Sequence, residues 1–354
     1  MKKICALIFA VAVLPVFAPT ALAQSPAQAR SPGQPQSQSL DDLFIRVSPT
    51  VVVVRAKGRD VAAGGITHFK ETGSGVLIST DGRVMTAAHV VNGMDEITVE
   101  GIGGEVVGAS IISANAAADV SLLQLERVTR AMRVARMGNS DAMRVGQQVM
   151  IVGAPYGLAY SMSVGWLSAR WPPNTIFLDM PLAEFLQTTA TINTGNSGGP
   201  VFNMAGEVIA IVSQNISKSG GSEGLGFVVT VKSAQNLLVP RKVFWGAFQG
   251  VLLTGRLATV FNVPAPAGYL VKTVAQGSMA WNMGVQGSDG VLTIGGKEIP
   301  VGGDIILSVD DIPVVSEESI ERIRNRLADL APAATFKMSV LRAGKVLELT
   351  GKNQ

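Results

Sequence analysis

A serine hydroxyl can open a peptide bond where a base takes its proton, a third group orients that base, and fixed donors stabilise the oxyanion. Each of these parts can be nominated in this chain. The run Gly195-Asn196-Ser197-Gly198-Gly199-Pro200 places Ser197 in a glycine-rich loop. The missing Cβ atoms there let the backbone N–H groups of Gly195 and Ser197 converge on one point, a candidate oxyanion hole. The chain has only two histidines. His89, in Thr86-Ala87-Ala88-His89-Val90, stands at the end of a predicted strand and is the candidate base. His68 lies in a glycine-rich stretch with Lys70 and Glu71 nearby and reads as a solvated surface histidine in a loop. Asp119, in Ala118-Asp119-Val120-Ser121-Leu122-Leu123, heads an apolar strand, where a carboxylate is costly unless paired, so it is the natural partner for the imidazole. The only cysteine, Cys5, falls in an expected leader. A mature chain without it has no thiol nucleophile, disulfide or zinc–thiolate site, and no metal or other cofactor is expected.

The elements that must hold these groups are mostly strands. Between residues 40 and 240 short β-rich runs alternate with Gly, Asp and Asn: 50–55, 75–78, 84–87, 97–99, 120–125, 148–152 and 208–213. Many short strands separated by turn signals mean a sandwich or barrel and not a βαβ fold. Asp81-Gly82 predicts a hairpin that brings 84–87 back beside 75–78, which leaves His89 just past a strand end. Beyond residue 240 strands are expected around 250–253 and 269–274. A helix is expected after Ser316, with that residue as N-cap, Glu317 and Glu318 in the first turn, and Ile320, Ile323, Leu327 and Leu330 along one face. This is the pattern of a separate small α+β module.

The 354 residues, 47% hydrophobic and 16% charged, can build two or three cores. Residues 1–23 have Lys2 and Lys3, an apolar run and Ala21-Leu22-Ala23 before Gln24, the pattern of a cleaved secretory signal peptide. An uncut membrane anchor is the alternative, disfavoured by the short run and by Pro15. Residues 24–39, without a large apolar side chain, are expected to be a flexible tether. Loss of Lys2 and Lys3 takes the formal charge from +3 to +1, which gives little reason to expect a nucleic-acid or anionic-membrane partner.

The order His, Asp, Ser and the strings around each resemble the trypsin-like superfamily, and more narrowly the HtrA/Deg family of envelope proteases. Gly73-Ser74-Gly75-Val76, Gly153-Ala154-Pro155-Tyr156-Gly157 and Ser163-Val164-Gly165 also match that family. The resemblance implies a chymotrypsin-like double β-barrel over 40–240, followed by an α+β PDZ domain over 245–352. It implies a periplasmic serine endopeptidase of protein quality control and stress response, acting on unfolded or exposed polypeptides with a His89–Asp119–Ser197 triad. A membrane-tethered regulatory protease and a non-enzymatic PDZ-bearing chaperone are the competing readings.

Further roles follow from the same resemblance. Thr191 carries no carboxylate where one would select Arg or Lys, and Ile192 and Leu225 match positions lining the substrate pocket, so an aliphatic residue is expected there. Ser213 sits in the strand that pairs with substrate backbone. Phe248-Gln249-Gly250-Val251 matches the PDZ loop that takes the carboxylate of hydrophobic C-terminal peptides, and Gly303-Asp304-Ile305-Ile306 matches a further PDZ string. A homotrimer is implied, with Phe44 as the candidate contact. Three features depart from the family: Thr189 where an Asp is usual, the 170–184 stretch with Trp171-Pro172-Pro173, and residues 286–302, which read as an inserted hairpin. Arg170 is the candidate sensor residue. Asn196 stands where trypsin-like zymogens carry Asp, so no ion pair with a new N-terminus is available and control by loop ordering is expected.

Overall fold

The computed structural model describes residues 39–62, 64–177, 179–218, 221–238, 248–294, 297–331 and 333–353. The expected signal peptide, all of the tether but Ser39, and the junction at 240–245 lie outside the described residues. Helix α1 (Leu40–Val47) opens the described chain. It is capped by the Ser39 side chain, carries Asp41 and Asp42 in its first turn and Arg46 in its last, and buries Leu43 and Val47 four residues apart. Phe44 packs partly buried against the same core, whereas Ile45 is exposed.

The first barrel contains β1 (Val51–Ala62), β2 (Gly65–Leu77), β3 (Arg83–Thr86), β4 (Glu96–Glu100), β5 (Val106–Asn115) and β6 (Val120–Leu125), with α2 (Ala88–Val91) after β3. These strands close in the order β1-β2-β3-β6-β5-β4. The turn read from Asp81-Gly82 is there: Gly82 has φ +94° and the Ile78 N–H donates to the Arg83 carbonyl at 2.8 Å. β1 and β2 pair along their whole length, from Val51 opposite Val76 to Ala62 opposite Gly65. His68 is exposed as expected, but it sits in β2 opposite Arg59 and not in a loop. The pairing extends well past the barrel, which a local reading of the glycines does not reveal.

The second barrel holds β7 (Arg136–Met137), β8 (Gln148–Gly153), β9 (Ser161–Trp171), β10 (Phe185–Thr188), β11 (Pro200–Asn203), β12 (Glu207–Asn215) and β13 (Gly226–Thr230), followed by α3 (Val231–Leu238). It closes through β11-β8-β9-β10-β13-β12 and back to β11, with β7 lying parallel on β12. The double barrel is therefore the chymotrypsin-like architecture. One core bridges the barrels: Met85, Val120 and Leu122 from the first meet Met150, Phe185, Phe202 and Phe227 from the second. The 170–184 stretch joins this core through Phe177, which stacks edge-on against Phe185 (5.1 Å) and Phe227 (5.0 Å).

The C-terminal α+β module comprises β14 (Phe248–Thr254), α4 (Gly255–Val260), β15 (Ala267–Val274), α5 (Met279–Asn282), β16 (Gly290–Ile294), β17 (Lys297–Val301), β18 (Ile305–Val309), β19 (Ile312–Pro313), α6 (Glu317–Ala328), β20 (Thr335–Arg342) and β21 (Lys345–Lys352). Its sheet runs β14-β15-β18-β20-β21, so β14 is an edge strand, and β16–β17 form a separate hairpin where the insertion was read. Asp304, fully buried, is held by Arg342 at 2.7 Å and by the Gln286 N–H at 2.9 Å. Ser316 caps α6 in a reciprocal capping box with Ser319. The helix ends at Ala328 with Asp329 as C-cap, so Leu330, expected on its apolar face, lies past its end while still packing on the core.

The module is pinned to the first barrel by polar contacts. Arg59 forks onto Asp95 (2.8 and 3.1 Å) and also donates to the Val274 carbonyl (3.0 Å), while the Gln276 N–H donates to Asp95 at 2.8 Å. Lys272 pairs with Asp60 at 2.7 Å, and the Gln249 amide donates to the Asn92 carbonyl.

Candidate active site

The three nominated residues come from three different places and meet in one cleft at the seam of the barrels. β3 delivers the chain to α2, whose second residue is His89. Asp119 follows a short 3-10 turn and has φ 52°, ψ 43°, a left-handed conformation that Asp tolerates better than most residues. That turn aims its carboxylate back at His89. Oδ1 accepts the His89 backbone N–H at 3.0 Å, and both carboxylate oxygens lie 2.9 Å from Nδ1. Oδ2 also accepts the hydroxyl of buried Ser213. A carboxylate whose side chain is only 8% exposed is thus fully occupied, which is what its burial demands. His89 keeps 50% of its side-chain surface open to the cleft. Such burial as it has lowers its pKa, but the hydrogen bond and charge of Asp119, together with the charge of Glu71, outweigh this and raise it above the ordinary imidazole value.

The Ser197 loop is clamped by Ser74, the serine of the Gly73-Ser74-Gly75 motif. Its hydroxyl donates to the Gly195 carbonyl (2.7 Å) and accepts from the Ala154 N–H (2.9 Å), while its backbone N–H donates to the Ser197 carbonyl (2.8 Å). Gly195 has φ +100°, and a Cβ there would lie 2.1 Å from the Ala154 carbonyl oxygen, so only glycine fits. Among the described residues no acceptor meets the N–H groups of Gly195 and Ser197. The Ser197 hydroxyl donates to the Ser213 carbonyl at 3.3 Å. Among the described residues no hydrogen bond joins this hydroxyl to His89.

The cleft has a volume of about 1070 Å³ and runs from Ser197 and His89 to the edge of β14 and the face of α6. Of the expected pocket residues, Ile192 lines it and also packs in the second barrel core, in touch with Gly226, where a Cβ would lie 2.6 Å from its Cδ1. Thr191 is exposed and Leu225 is 39% exposed; neither lines this cleft. On β14 the two-residue period turns Phe248, Gly250 and Leu252 toward the cleft, while Val251 points away and is 38% exposed. Gln249 lines the cleft as well and is tied to Asn92, the C-cap of the helix that carries His89. Tyr269, Glu317 and Arg324 complete this end, and none of them was assigned to the cleft from sequence. Burial and Glu317, against the opposing pull of Arg324, push the Tyr269 phenol up to about 12, so it stays protonated. Arg170 is committed to Glu184 at 2.7 Å and to the Ser140 and Met143 carbonyls. Among the described residues no cluster of His, Cys, Asp and Glu could hold a metal ion.

The fold is that of the trypsin-like serine-protease class, and residues 73–211, which contain all three residues, match the trypsin-like peptidase domain family. The chain is 34% identical over 303 residues to a probable periplasmic serine endoprotease DegP-like of Pseudomonas savastanoi pv. phaseolicola, covering 82% of this chain and 58% of that one. To the like-named protein of Ectopseudomonas mendocina it is 32% identical, covering 91% and 64%. It therefore spans about three-fifths of the length of these relatives. Among solved structures it is similar to the HtrA-type protease AlgW with decapeptide (TM-score 0.51, 25% identity, 89% of this chain and 98% of that one). A substituted form of AlgW, also with decapeptide, gives a TM-score of 0.54 at 25% identity, over 89% and 96%. The chain thus carries a trypsin-like peptidase domain and is similar to DegP-like serine endoproteases and to HtrA-type proteases.

Proposed function

We propose that this protein is an exported serine endopeptidase that cuts unfolded or exposed polypeptides in the periplasm. In this reading His89 is the general base, Asp119 fixes its tautomer and stabilises the imidazolium, Ser197 is the nucleophile, and the N–H groups of Gly195 and Ser197 receive the oxyanion. The observation that carries it is the Asp119 carboxylate bound through three contacts to His89 and through a fourth to Ser213, in the same cleft as Ser197. A buried carboxylate spent entirely on one imidazole and its support fits a catalytic base better than a structural histidine. The apolar wall at Ile192 supports an aliphatic residue before the scissile bond. The periplasmic placement follows the names of the relatives, and no helix among the described residues is long and apolar enough to cross a membrane.

The C-terminal module acts as a PDZ domain. β14 is an edge strand with α6 across the groove, the arrangement that accepts a peptide as an added strand, and hydrophobic C-terminal peptides are its ligands. The homotrimer expected of the family is tested by sedimentation; a stable monomer would refute it. For the catalytic reading, Ser197→Ala should abolish hydrolysis of casein and labelling by a fluorophosphonate while leaving the melting temperature within a few degrees, because it removes the nucleophile and almost no volume. Retained hydrolysis above a trace would overturn the assignment.

A further inference from the structure

We propose that Glu71 gives this protease a preference for Lys or Arg just after the scissile bond, an inference that rests on the proteolytic reading above. β2 alternates its faces, and the facing of Glu71 is set by Gly73, two residues on. A Cβ on Gly73 would lie 2.8 Å from both Val90 methyls and 2.9 Å from the Ser197 carbonyl oxygen, so that face of β2 looks straight at α2 and the nucleophile loop. Phe69, Glu71 and Gly73 share it, and Phe69 and Glu71 both line the cleft with His89 and Ser197. Glu71 is near enough to His89 for its charge to raise the imidazole's affinity for a proton.

The Glu71 carboxylate is half-buried and, among the described residues, makes no hydrogen bond or ion pair. Its neighbours do: Lys57 pairs with Glu96 at 2.8 Å, and Asp60, further along the cleft, pairs with Lys272 at 2.7 Å. A half-buried carboxylate with no partner, facing a substrate cleft, stabilises a cation that enters it. The side of the scissile bond follows from the bracketing of Ser197. Its hydroxyl touches the Ser213 carbonyl of β12, and its own carbonyl receives the Ser74 N–H of β2. With the acyl half of the substrate paired along β12, the leaving half lies along β2, beside Glu71. Asp179, exposed on the same cleft, adds to the negative potential without the same burial.

The test uses quenched peptides sharing one aliphatic residue before the cleaved bond, with a single Gln replaced by Lys at each of the two positions before and the two after it. Cut sites are verified by mass spectrometry. The wild-type chain should cleave the Lys peptide about five- to tenfold faster in kcat/KM at one of the two positions after the bond, and the gain should shrink as salt is raised. Glu71→Gln should bring the Lys/Gln ratio to about one and Glu71→Lys should invert it. Each ratio is taken within one variant, so it does not depend on how much of that variant is folded. Equal rates for Lys and Gln after the bond, a gain confined to positions before it, or a preference that survives in Glu71→Gln would overturn the inference. No cleavage of any peptide and no fluorophosphonate labelling of Ser197 would overturn the proteolytic reading, and the inference with it.

Discussion

Replacing Asp119 by Asn tests the heart of the site, because it keeps the shape of the side chain and changes only its charge and one donor. In the wild-type protein both carboxylate oxygens lie 2.9 Å from His89 Nδ1, so the imidazole proton is held on Nδ1, and in the proposed mechanism Nε2 is the atom that accepts from Ser197. One of those oxygens also accepts the His89 backbone N–H, so in the variant the amide oxygen must stay there and the new NH2 takes the other position. A donor then sits at Nδ1 and favours the tautomer with the proton on Nε2, the atom that must act as base. The negative charge that stabilises the imidazolium is lost as well. Together these effects should reduce kcat/KM by about 10⁴-fold near neutral pH, which is about 5.4 kcal/mol at 1.36 kcal/mol per decade. The variant should also move the acid limb of the pH–rate profile. Burial lowers the His89 pKa, and Asp119 is the main reason it is nonetheless raised, so without that charge the pKa falls and the neutral base persists to lower pH. The assay is hydrolysis of a short chromogenic peptide from pH 5 to 9, with circular-dichroism melting to verify the fold. A loss of less than tenfold in a folded variant would refute the orienting role of Asp119.

Glu71→Gln should move the acid limb of the same profile downward by less than Asp119→Asn does, since its charge is the smaller of the two that raise the His89 pKa; an upward shift would contradict the geometry. Gly195→Ala should cost at least a hundredfold in kcat, because the new Cβ collides with the Ala154 carbonyl and displaces an oxyanion donor worth about 10²–10³; near-normal turnover would show that the hole lies elsewhere. Ser316→Ala should destabilise the C-terminal module by about 1 kcal/mol in denaturant melts, the usual cost of an N-cap, and leave hydrolysis of a short peptide unchanged. A Ser316→Ala melt superimposable on wild type would show that the cap contributes nothing there.

Much of the fold was legible because it is written in local chemistry. Period-two apolar runs, the Gly82 turn and the Ser316 cap each act within a few residues of themselves, and the strands, hairpin and helix start appear where those signals put them. Signals that depend on partners far along the chain were read less well. His68 was assigned to a loop because its neighbours are glycines, but Arg59 across the hairpin holds it in a strand. Leu330 was assigned to a helix face because the spacing continued, although the backbone had already ended the helix at Ala328.

The candidate site divides along the same line. The sequence by itself determined the inventory, a lone plausible base, a carboxylate that needed a partner and a serine among glycines, because residue type limits which groups can do this chemistry. Only the tertiary structure decided that Ser213 supports Asp119, that Ser74 clamps the nucleophile loop, and that Glu71 shares the cleft with His89. Ser213 and Asp119 stand 94 positions apart, and Ser74 and Gly195 121 apart. Contacts at such separations come from two barrels closing on a shared core, and no local propensity or spacing carries a trace of them.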